Sequence, residues 1–181
     1  MYALNEIFKT KLSIWELAEI GEKIGADVPF SLIGGTAFAM DKGGVIAPLP
    51  QLKNCYFVLC KPDQDVSTKG AYRQIDENNR IRHADSMHMM YAMRNQDFDL
   101  MCQKAMNIFE QVIEVPQRPH IKALMRDCGA AITLMSGSGP TVYGLFKTEQ
   151  EAEKCAALLK KEYKEVYVAK PLPCGVEVIE A

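Results

Sequence analysis

The chain has 181 residues, of which 48% are hydrophobic and 24% are charged, and its formal net charge is −2. This composition is typical of a globular protein large enough to bury a sizeable core. A near-neutral chain without a basic stripe argues against nucleic-acid binding, because neutralising phosphates needs clustered Lys and Arg. No apolar run approaches the ~20 residues that span a bilayer, and the polar start is not typical of a signal peptide. We therefore expect a cytoplasmic protein that binds neither nucleic acid nor membranes.

The first part of the chain predicts two helices. Ser13 and Glu16 have the spacing of a capping box, and the apolar stripe that follows is expected to end at Gly25. Asp27 then stands where it can cap a short second helix, with Pro29 in the first turn. Local sequence alone therefore favours a structural interpretation of Asp27.

A hairpin and a domain boundary follow these helices. Residues 36–40 and 45–49 are predicted strands on either side of a turn at residues 41–44. Two prolines and an asparagine then mark a boundary. We predict two domains, residues 1–53 and residues 54–181.

The second domain is predicted to contain four strands with helices between them. Ser67 or Thr68 is placed to cap the first helix. A later helix is expected to run from near Asp97 through Val112. The predicted strands are residues 55–60, 131–135, 141–146 and 164–169. The order strand, helices, strand, strand, helix, strand is the ferredoxin-like split βαβ arrangement, so the fold class is α+β.

The cysteines and histidines lack the spacing of a metal site. The six cysteines form no C-x-x-C pair, and the three histidines are scattered along the chain. Cys55 and Cys60 are an odd number of residues apart in one predicted strand, which places them on opposite faces. We predict reduced, buried thiols and no metal ion.

Two stretches indicate a chemistry. Gly-Ala-Asp-Val-Pro-Phe at residues 25–30 places a carboxylate before a glycine-rich turn, and Ser-Gly-Ser-Gly-Pro-Thr at residues 136–141 forms a second glycine turn. A carboxylate can accept a hydroxyl proton, and backbone N–H groups of a glycine turn can bind phosphate or sugar oxygens. Each stretch alone also has a structural explanation, as a helix N-cap or as a tight turn.

In this order and separation, the two stretches closely resemble the 4-diphosphocytidyl-2-C-methyl-D-erythritol kinases of the GHMP kinase superfamily. The resemblance begins at Leu4-Asn5 and continues through Val66-Ser67-Thr68 almost to the end of the chain. It implies ATP-dependent phosphorylation of the 2-hydroxyl of 4-diphosphocytidyl-2-C-methyl-D-erythritol, with Mg²⁺, in non-mevalonate isoprenoid precursor biosynthesis. It also implies a remnant of the family's N-terminal lobe followed by its C-terminal ferredoxin-like domain.

The resemblance assigns roles to particular residues. It makes Asp27 the catalytic acceptor of the hydroxyl proton. The implied substrate-binding residues are Ser67, Thr68, Gly137, Ser138 and Gly139. For these residues a helix cap or a strand-to-strand turn is the competing explanation. Asn107 and Glu110 also match the family, and we interpret them as a polar helical face without a site role.

The family's Gly/Ser-rich phosphate loop and a substrate-contacting lysine lie upstream of the region where this chain begins. No such loop occurs in the sequence, so no residue can be named for ATP. We expect the C-terminal portion of a kinase with little or no turnover alone, because positioning supplies roughly 7–11 kcal/mol of a barrier. Apolar surface around Ile14, Trp15, Leu17, Ile20 and the hairpin is then expected to be exposed and to support homo-oligomers.

Other functions fit the residues less well. A non-catalytic, kinase-derived domain that binds a metabolite or itself is the main alternative, although it would have no use for Asp27. Another GHMP kinase, such as a homoserine or mevalonate kinase, is disfavoured by the match at Val66-Ser67-Thr68 and Gly137-Ser138-Gly139-Pro140. An RNA-binding sheet would need exposed strand aromatics on a basic surface.

Overall fold

The computed structural model describes residues 1–179 and divides into two compact units. Unit 1 comprises Met1–Lys53, Met93–Gln96 and the described tail that begins at Pro171, and unit 2 comprises Asn54–Ala92 and Asp97–Lys170. The predicted domains had placed both short segments of unit 1 in the second domain. Assignment of the two units to kinase lobes stays a prediction. Within the described residues, no helix is both long and apolar enough to cross a membrane.

Unit 1 begins with three helices, α1 (Tyr2–Phe8), α2 (Ile14–Glu22) and α3 (Val28–Ile33). The predicted capping box of α2 is present. Glu16 N donates to Ser13 Oγ at 3.2 Å, and Ser13 N donates to Glu16 Oε2 at 2.7 Å. The helix ends earlier than the expected Gly25, because α2 closes at Lys23, whose N–H donates to Ile20 O at 3.3 Å. Ile24 N and Gly25 N then both donate to Gly21 O, at 2.9 and 3.1 Å.

The predicted hairpin is confirmed in both strands. β1 (Thr36–Met40) pairs antiparallel with β2 (Val45–Leu49), and Thr36 lies opposite Leu49. The turn contains a short 3₁₀ helix, Asp41–Gly43.

The exposure of the apolar side chains on α2 agrees only in part with the prediction. Leu17 is only 4% exposed and packs with Ala18 and Leu32, so its predicted exposure is wrong. Trp15 and Ile20 are 48% and 43% exposed, as predicted. The difference follows from helical geometry, since Leu17 and Ala18 face the other helices while Trp15 and Ile20 lie on the outer side of α2.

A buried asparagine holds the connection between α1 and α2. The Asn5 Nδ2 donates to Leu12 O at 3.1 Å, while its Oδ1 accepts from Leu12 N at 3.0 Å and from the Thr10 hydroxyl. Asn5 thereby satisfies backbone groups that an irregular connection would leave without partners. The sequence did not single out this role.

The chain tail packs closely against the turn that precedes β1. Gly175 N donates to Ile33 O at 3.1 Å. A Cβ on Gly34 would overlap the backbone of Gly175, and a Cβ on Gly175 would overlap Ser31 O. Glycine is therefore required on both sides of this contact.

Unit 2 is built on a four-stranded antiparallel sheet. Its strands are β3 (Tyr56–Lys61), β4 (Ile132–Met135), β5 (Val142–Phe146) and β6 (Glu165–Ala169). The spatial order is β4-β5-β3-β6, and every neighbouring pair is antiparallel. This order is the split βαβ arrangement, so the predicted α+β fold class is confirmed.

In the described part of the chain, unit 2 contains five α-helices, one of which is shorter than predicted. They are α4 (Thr68–Asp76), α5 (Ser86–Asn95, whose last residues group with unit 1), α6 (Phe98–Lys104), α7 (Arg118–Asp127) and α8 (Glu149–Leu159). The single helix expected from Asp97 to Val112 is wrong. It stops at Lys104, and a separate 3₁₀ helix, Ile108–Gln111, follows an extended Asn107.

The main core lies between the sheet and helices α7 and α8. Val58, Cys60 and Phe146 pack there against Met125 and Cys155. All six thiols are free, and four of them are buried, but Cys174 is exposed, contrary to the prediction of buried thiols. Burial raises the pKa of Cys60 to about 12 and that of Cys155 to about 12.

We predict that Gly175→Ala destabilises unit 1, because the added methyl group displaces the tail from Ser31. Overpacking of this kind costs about 1–3 kcal/mol in the free energy of unfolding. Urea unfolding, with limited proteolysis of the tail, measures the effect. Gly25→Ala is the matched control, since its Cβ would meet only Val28 at 3.8 Å. Equal stability of the two variants would contradict the packing described for the tail.

We predict that the free energy of unfolding falls as the pH rises above 9. A thiol in the unfolded chain ionises near pH 9, whereas the folded thiols of Cys60 and Cys155 keep their protons. The folded state therefore binds more protons, and each thiol costs about 1 kcal/mol of stability by pH 10. Denaturant titrations from pH 8 to 10 measure the free energy of unfolding at each pH. Its decrease with pH should be smaller in Cys155→Ala than in the wild type and unchanged in Cys174→Ala.

Candidate functional site

The second glycine turn joins β4 to β5 in unit 2. Ser136 N donates to Thr141 O at 2.7 Å, and Gly139 N donates to Ser136 O at 2.9 Å. Gly137 and Gly139 have φ values of +53° and +89°, which favour glycine at both positions. Since the Gly139 N–H is used inside the turn, the N–H groups of Gly137 and Ser138 are the candidates for ligand contacts.

The structure brings two of the predicted substrate-binding residues together. Thr68 Oγ1 and Ser138 Oγ are 3.0 Å apart, which joins the N-terminus of α4 to the glycine turn. Ser67 instead caps α4, accepting a hydrogen bond from Gly70 N at 3.2 Å. The pair of hydroxyls and the nearby backbone N–H groups form a polar, exposed surface suited to an anion.

Asp27 lies in unit 1 at the start of α3, and it is exposed. Its backbone is already helical, and its side chain makes no capping hydrogen bond. The interpretation of its carboxylate as a helix cap is therefore wrong. Its backbone carbonyl instead accepts hydrogen bonds from Ser31 N at 3.0 Å and from Ser31 Oγ at 2.8 Å. The carboxylate is accessible for another use.

Asn107 and Glu110 do not form the polar helical face that the sequence predicted. Asn107 Nδ2 donates to Met135 O at 2.6 Å and to Gly137 O at 2.8 Å. Glu110 Oε1 accepts from Met135 N. Asn107 therefore contacts the glycine turn and Glu110 contacts the end of β4 that leads into it, although both residues are distant in sequence.

A partly buried ion pair accompanies these contacts. Lys122 Nζ lies 2.8 Å from Glu110 Oε2, and the two side chains are 17% and 18% exposed respectively. Tyr143 lies on β5, and burial, followed by the charge of Glu110, raises its pKa. Glu110 thus combines a charged partner with a backbone donor, as a buried carboxylate requires.

A cavity of about 530 Å³ adjoins the glycine turn within unit 2. Ser136 and Gly137 form part of its wall, together with Asn107, His83 and Tyr143. The polar lining residues include Ser136, Asn107 and His83, whereas Leu134, Ile108 and Met106 are apolar. Among residues 1–179, no group of three or more His, Cys, Asp or Glu side chains is placed to hold a metal ion.

Comparison with known proteins identifies the relatives of this chain. Residues 89–165 match the family model for the C-terminal region of GHMP kinases. The 4-diphosphocytidyl-2-C-methyl-D-erythritol kinase of Clostridium tetani is 37% identical over 172 residues, and that of Exiguobacterium sibiricum is 41% identical over 172 residues. The chain is a homologue of the GHMP kinases. The resemblance predicted from its two glycine-containing stretches is confirmed.

The matches cover most of this chain but only part of its relatives. Each of the two bacterial alignments includes 93% of this chain, which spans 61% of the Clostridium protein and 59% of the Exiguobacterium protein. A solved 4-(cytidine 5'-diphospho)-2C-methyl-D-erythritol kinase is 25% identical, with a TM-score of 0.73 over 92% of this chain and 60% of that chain. A homoserine kinase from Cytophaga hutchinsonii has a TM-score of 0.80 at 22% identity, over 98% of this chain and 64% of that chain, which supports the shared fold alone.

We predict that Glu110→Ala lowers the free energy of unfolding of unit 2 by about 2–3 kcal/mol, because Lys122 and Met135 N lose a shared partner. Denaturant unfolding measures this loss. Glu114→Ala is the matched control, since Glu114 is exposed and a surface substitution changes stability by about 0.5 kcal/mol or less. A cost below 1 kcal/mol for Glu110→Ala would contradict the role of the ion pair.

Proposed function

We propose that this protein is an ATP-dependent kinase that phosphorylates the 2-hydroxyl of 4-diphosphocytidyl-2-C-methyl-D-erythritol in isoprenoid precursor biosynthesis. The observation that carries the proposal is the 37–41% identity to kinases of that name over 93% of this chain. The substrate and cofactors are small polar molecules, so we also propose a cytoplasmic location.

Asp27 is proposed to accept the proton of the substrate hydroxyl as that oxygen attacks the γ-phosphorus of ATP. A carboxylate in this role must be accessible and within hydrogen-bond reach of the hydroxyl. The exposure of Asp27 and the lack of a capping bond to its side chain support the assignment.

The diphosphate of the substrate is proposed to bind beside the second glycine turn. The hydroxyls of Thr68 and Ser138 and the N–H groups of Gly137 and Ser138 can donate to its oxygens. The N-terminus of α4, which Ser67 caps, adds a favourable electrostatic potential for an anion. In this proposal Gly139 shapes the turn, because its N–H already bonds to Ser136 O.

ATP and Mg²⁺ are the cofactors that the proposed reaction requires. Kinases usually hold Mg²⁺ through one or two carboxylates together with the phosphates. The described residues offer no cluster of three metal-ligating side chains, and the sequence has no glycine-rich phosphate loop of known type. No residue of this chain is therefore assigned to ATP or Mg²⁺.

A non-catalytic domain that binds a metabolite or a second copy of itself is the alternative function. The observation that favours it is the exposed apolar surface of unit 1. Phe8 and Ile24 are 71% and 69% exposed, and Trp15 and Ile20 are also accessible. Such side chains favour association when they form a continuous patch. Light scattering across a range of protein concentrations tests self-association. A monomer at the highest concentration would contradict association through this surface.

The deciding experiment measures ADP release with ATP, Mg²⁺ and 4-diphosphocytidyl-2-C-methyl-D-erythritol. The wild-type rate tests the expectation that this chain has little or no turnover alone. Whatever rate is present should fall about 10²–10⁴-fold in Asp27→Asn, because the proton acceptor is removed. Asp41→Asn changes another exposed acid of unit 1 and should keep the wild-type rate.

The remaining outcomes separate the two functions. Equal rates in Asp27→Asn and the wild type would contradict the role of Asp27. No turnover in any variant, together with a melting temperature raised by the substrate, would indicate a chain that binds the kinase substrate but lacks the ATP site needed to phosphorylate it. Turnover with another small alcohol but not with this substrate would contradict the proposed specificity.

A further inference from the structure

The entry to the second glycine turn is attached to a distant segment through one side chain. Asn107 Nδ2 donates to Met135 O at 2.6 Å and to Gly137 O at 2.8 Å, while its Oδ1 accepts from Phe109 N at 2.8 Å. Both hydrogens and the oxygen of the amide are therefore used. The bond to Phe109 fixes the amide at the start of the 3₁₀ helix, so that its two hydrogens point to the turn.

Glu110 adds a second attachment from the same 3₁₀ helix. Its Oε1 accepts from Met135 N, and Lys122 balances its charge at 2.8 Å. Arg118 supports the backbone at this point, since its Nη2 donates to Glu110 O at 3.3 Å and its Nη1 donates to Ile113 O at 2.8 Å. Met135 is therefore held through both its N–H and its carbonyl.

Packing does not fix the turn at Gly137. A Cβ at this glycine would have no described atom within 4 Å, and the residue is exposed. Its backbone is nevertheless left-handed, with φ at +53°. The bond from Asn107 to Gly137 O is thus the interaction that can hold this peptide group in one orientation. That orientation also sets the direction of the Ser138 N–H, which belongs to the same peptide group.

We propose that Asn107 is a positioning residue that orients the Gly137–Ser138 peptide toward the substrate diphosphate, with Glu110 holding the end of β4 in support. The inference rests on the proposed function, because it names a further determinant of the same site. Asn107 acts through the turn and does not itself touch the substrate.

The first test measures amide hydrogen exchange in the whole chain. Asn107→Ser keeps a side-chain oxygen that can cap the 3₁₀ helix but removes both bonds to the turn. Exchange in a peptide covering residues 136–141 should become about tenfold faster, the change expected from losing roughly one hydrogen bond's worth of free energy. Asn79→Ser, at an exposed loop position, is the matched control and should leave this exchange unchanged.

The second test measures the dissociation constant of 4-diphosphocytidyl-2-C-methyl-D-erythritol by calorimetry. It should rise about tenfold in Asn107→Ser and stay at the wild-type value in Asn79→Ser. If Asn107→Ser does not fold, NMR of the wild type supplies an independent readout. The side-chain amide of Asn107 should then exchange about tenfold more slowly than that of Asn79, because both of its hydrogens are bonded.

Several results would overturn the inference. They are unchanged exchange at residues 136–141, faster exchange spread evenly over unit 2, rapid exchange of the Asn107 amide, or faster turn exchange with unchanged substrate affinity. Failure of the wild-type chain to bind the substrate would instead count against the proposed function. The exchange measurements would still decide whether Asn107 holds the turn.

Discussion

The hydrogen bonds of Asn107 connect the glycine turn between β4 and β5 to the 3₁₀ helix Ile108–Gln111. β4 and β5 are neighbours in a hairpin, and a hairpin turn usually needs only its own backbone bonds. Here Asn107 reaches the turn at Gly137, and Glu110 reaches the end of β4 at Met135, from a segment about 25–30 residues earlier in the chain. The sheet supplies the position of the turn, and the 3₁₀ helix supplies its orientation.

Unit 1 uses the same physical solution in a different place. Asn5 bonds to both backbone groups of Leu12, as Asn107 bonds to the groups around Met135. In each case a side-chain amide satisfies backbone groups that regular secondary structure leaves without partners. Hydrogen bonds from a side-chain amide therefore hold these irregular segments in place.

Local patterns predicted much of the fold. The strands followed from short apolar runs bounded by turn residues, and the capping box at Ser13 and Glu16 depends only on residues three apart. The sheet order then followed from the sequence of elements, because few topologies accommodate it. The helix predicted to run from Asp97 through Val112 failed at Asn107, since its apolar periodicity says nothing about a side chain bonded to a distant strand.

The candidate site was less predictable for the same reason. The glycines of the turn could be named from their spacing, and Asp27 from the stretch around it. The contact between Thr68 and Ser138 joins residues 70 positions apart, and no local pattern carries that information. The role of Asn107 was equally hidden, although its match to the kinase family was a signal that could have prompted a search for its partners.

The contact between Gly34 and Gly175 has a consequence for the order in which the chain folds during synthesis. Unit 1 includes residues from the beginning of the chain and from its tail, whereas unit 2 is nearly continuous. Domains generally fold as their residues leave the ribosome, so unit 2 can pack while the chain is still being made. The hydrogen bond from Gly175 to Ile33 and the close packing of Gly175 on Gly34 can form only after the residues of unit 2 have been synthesised.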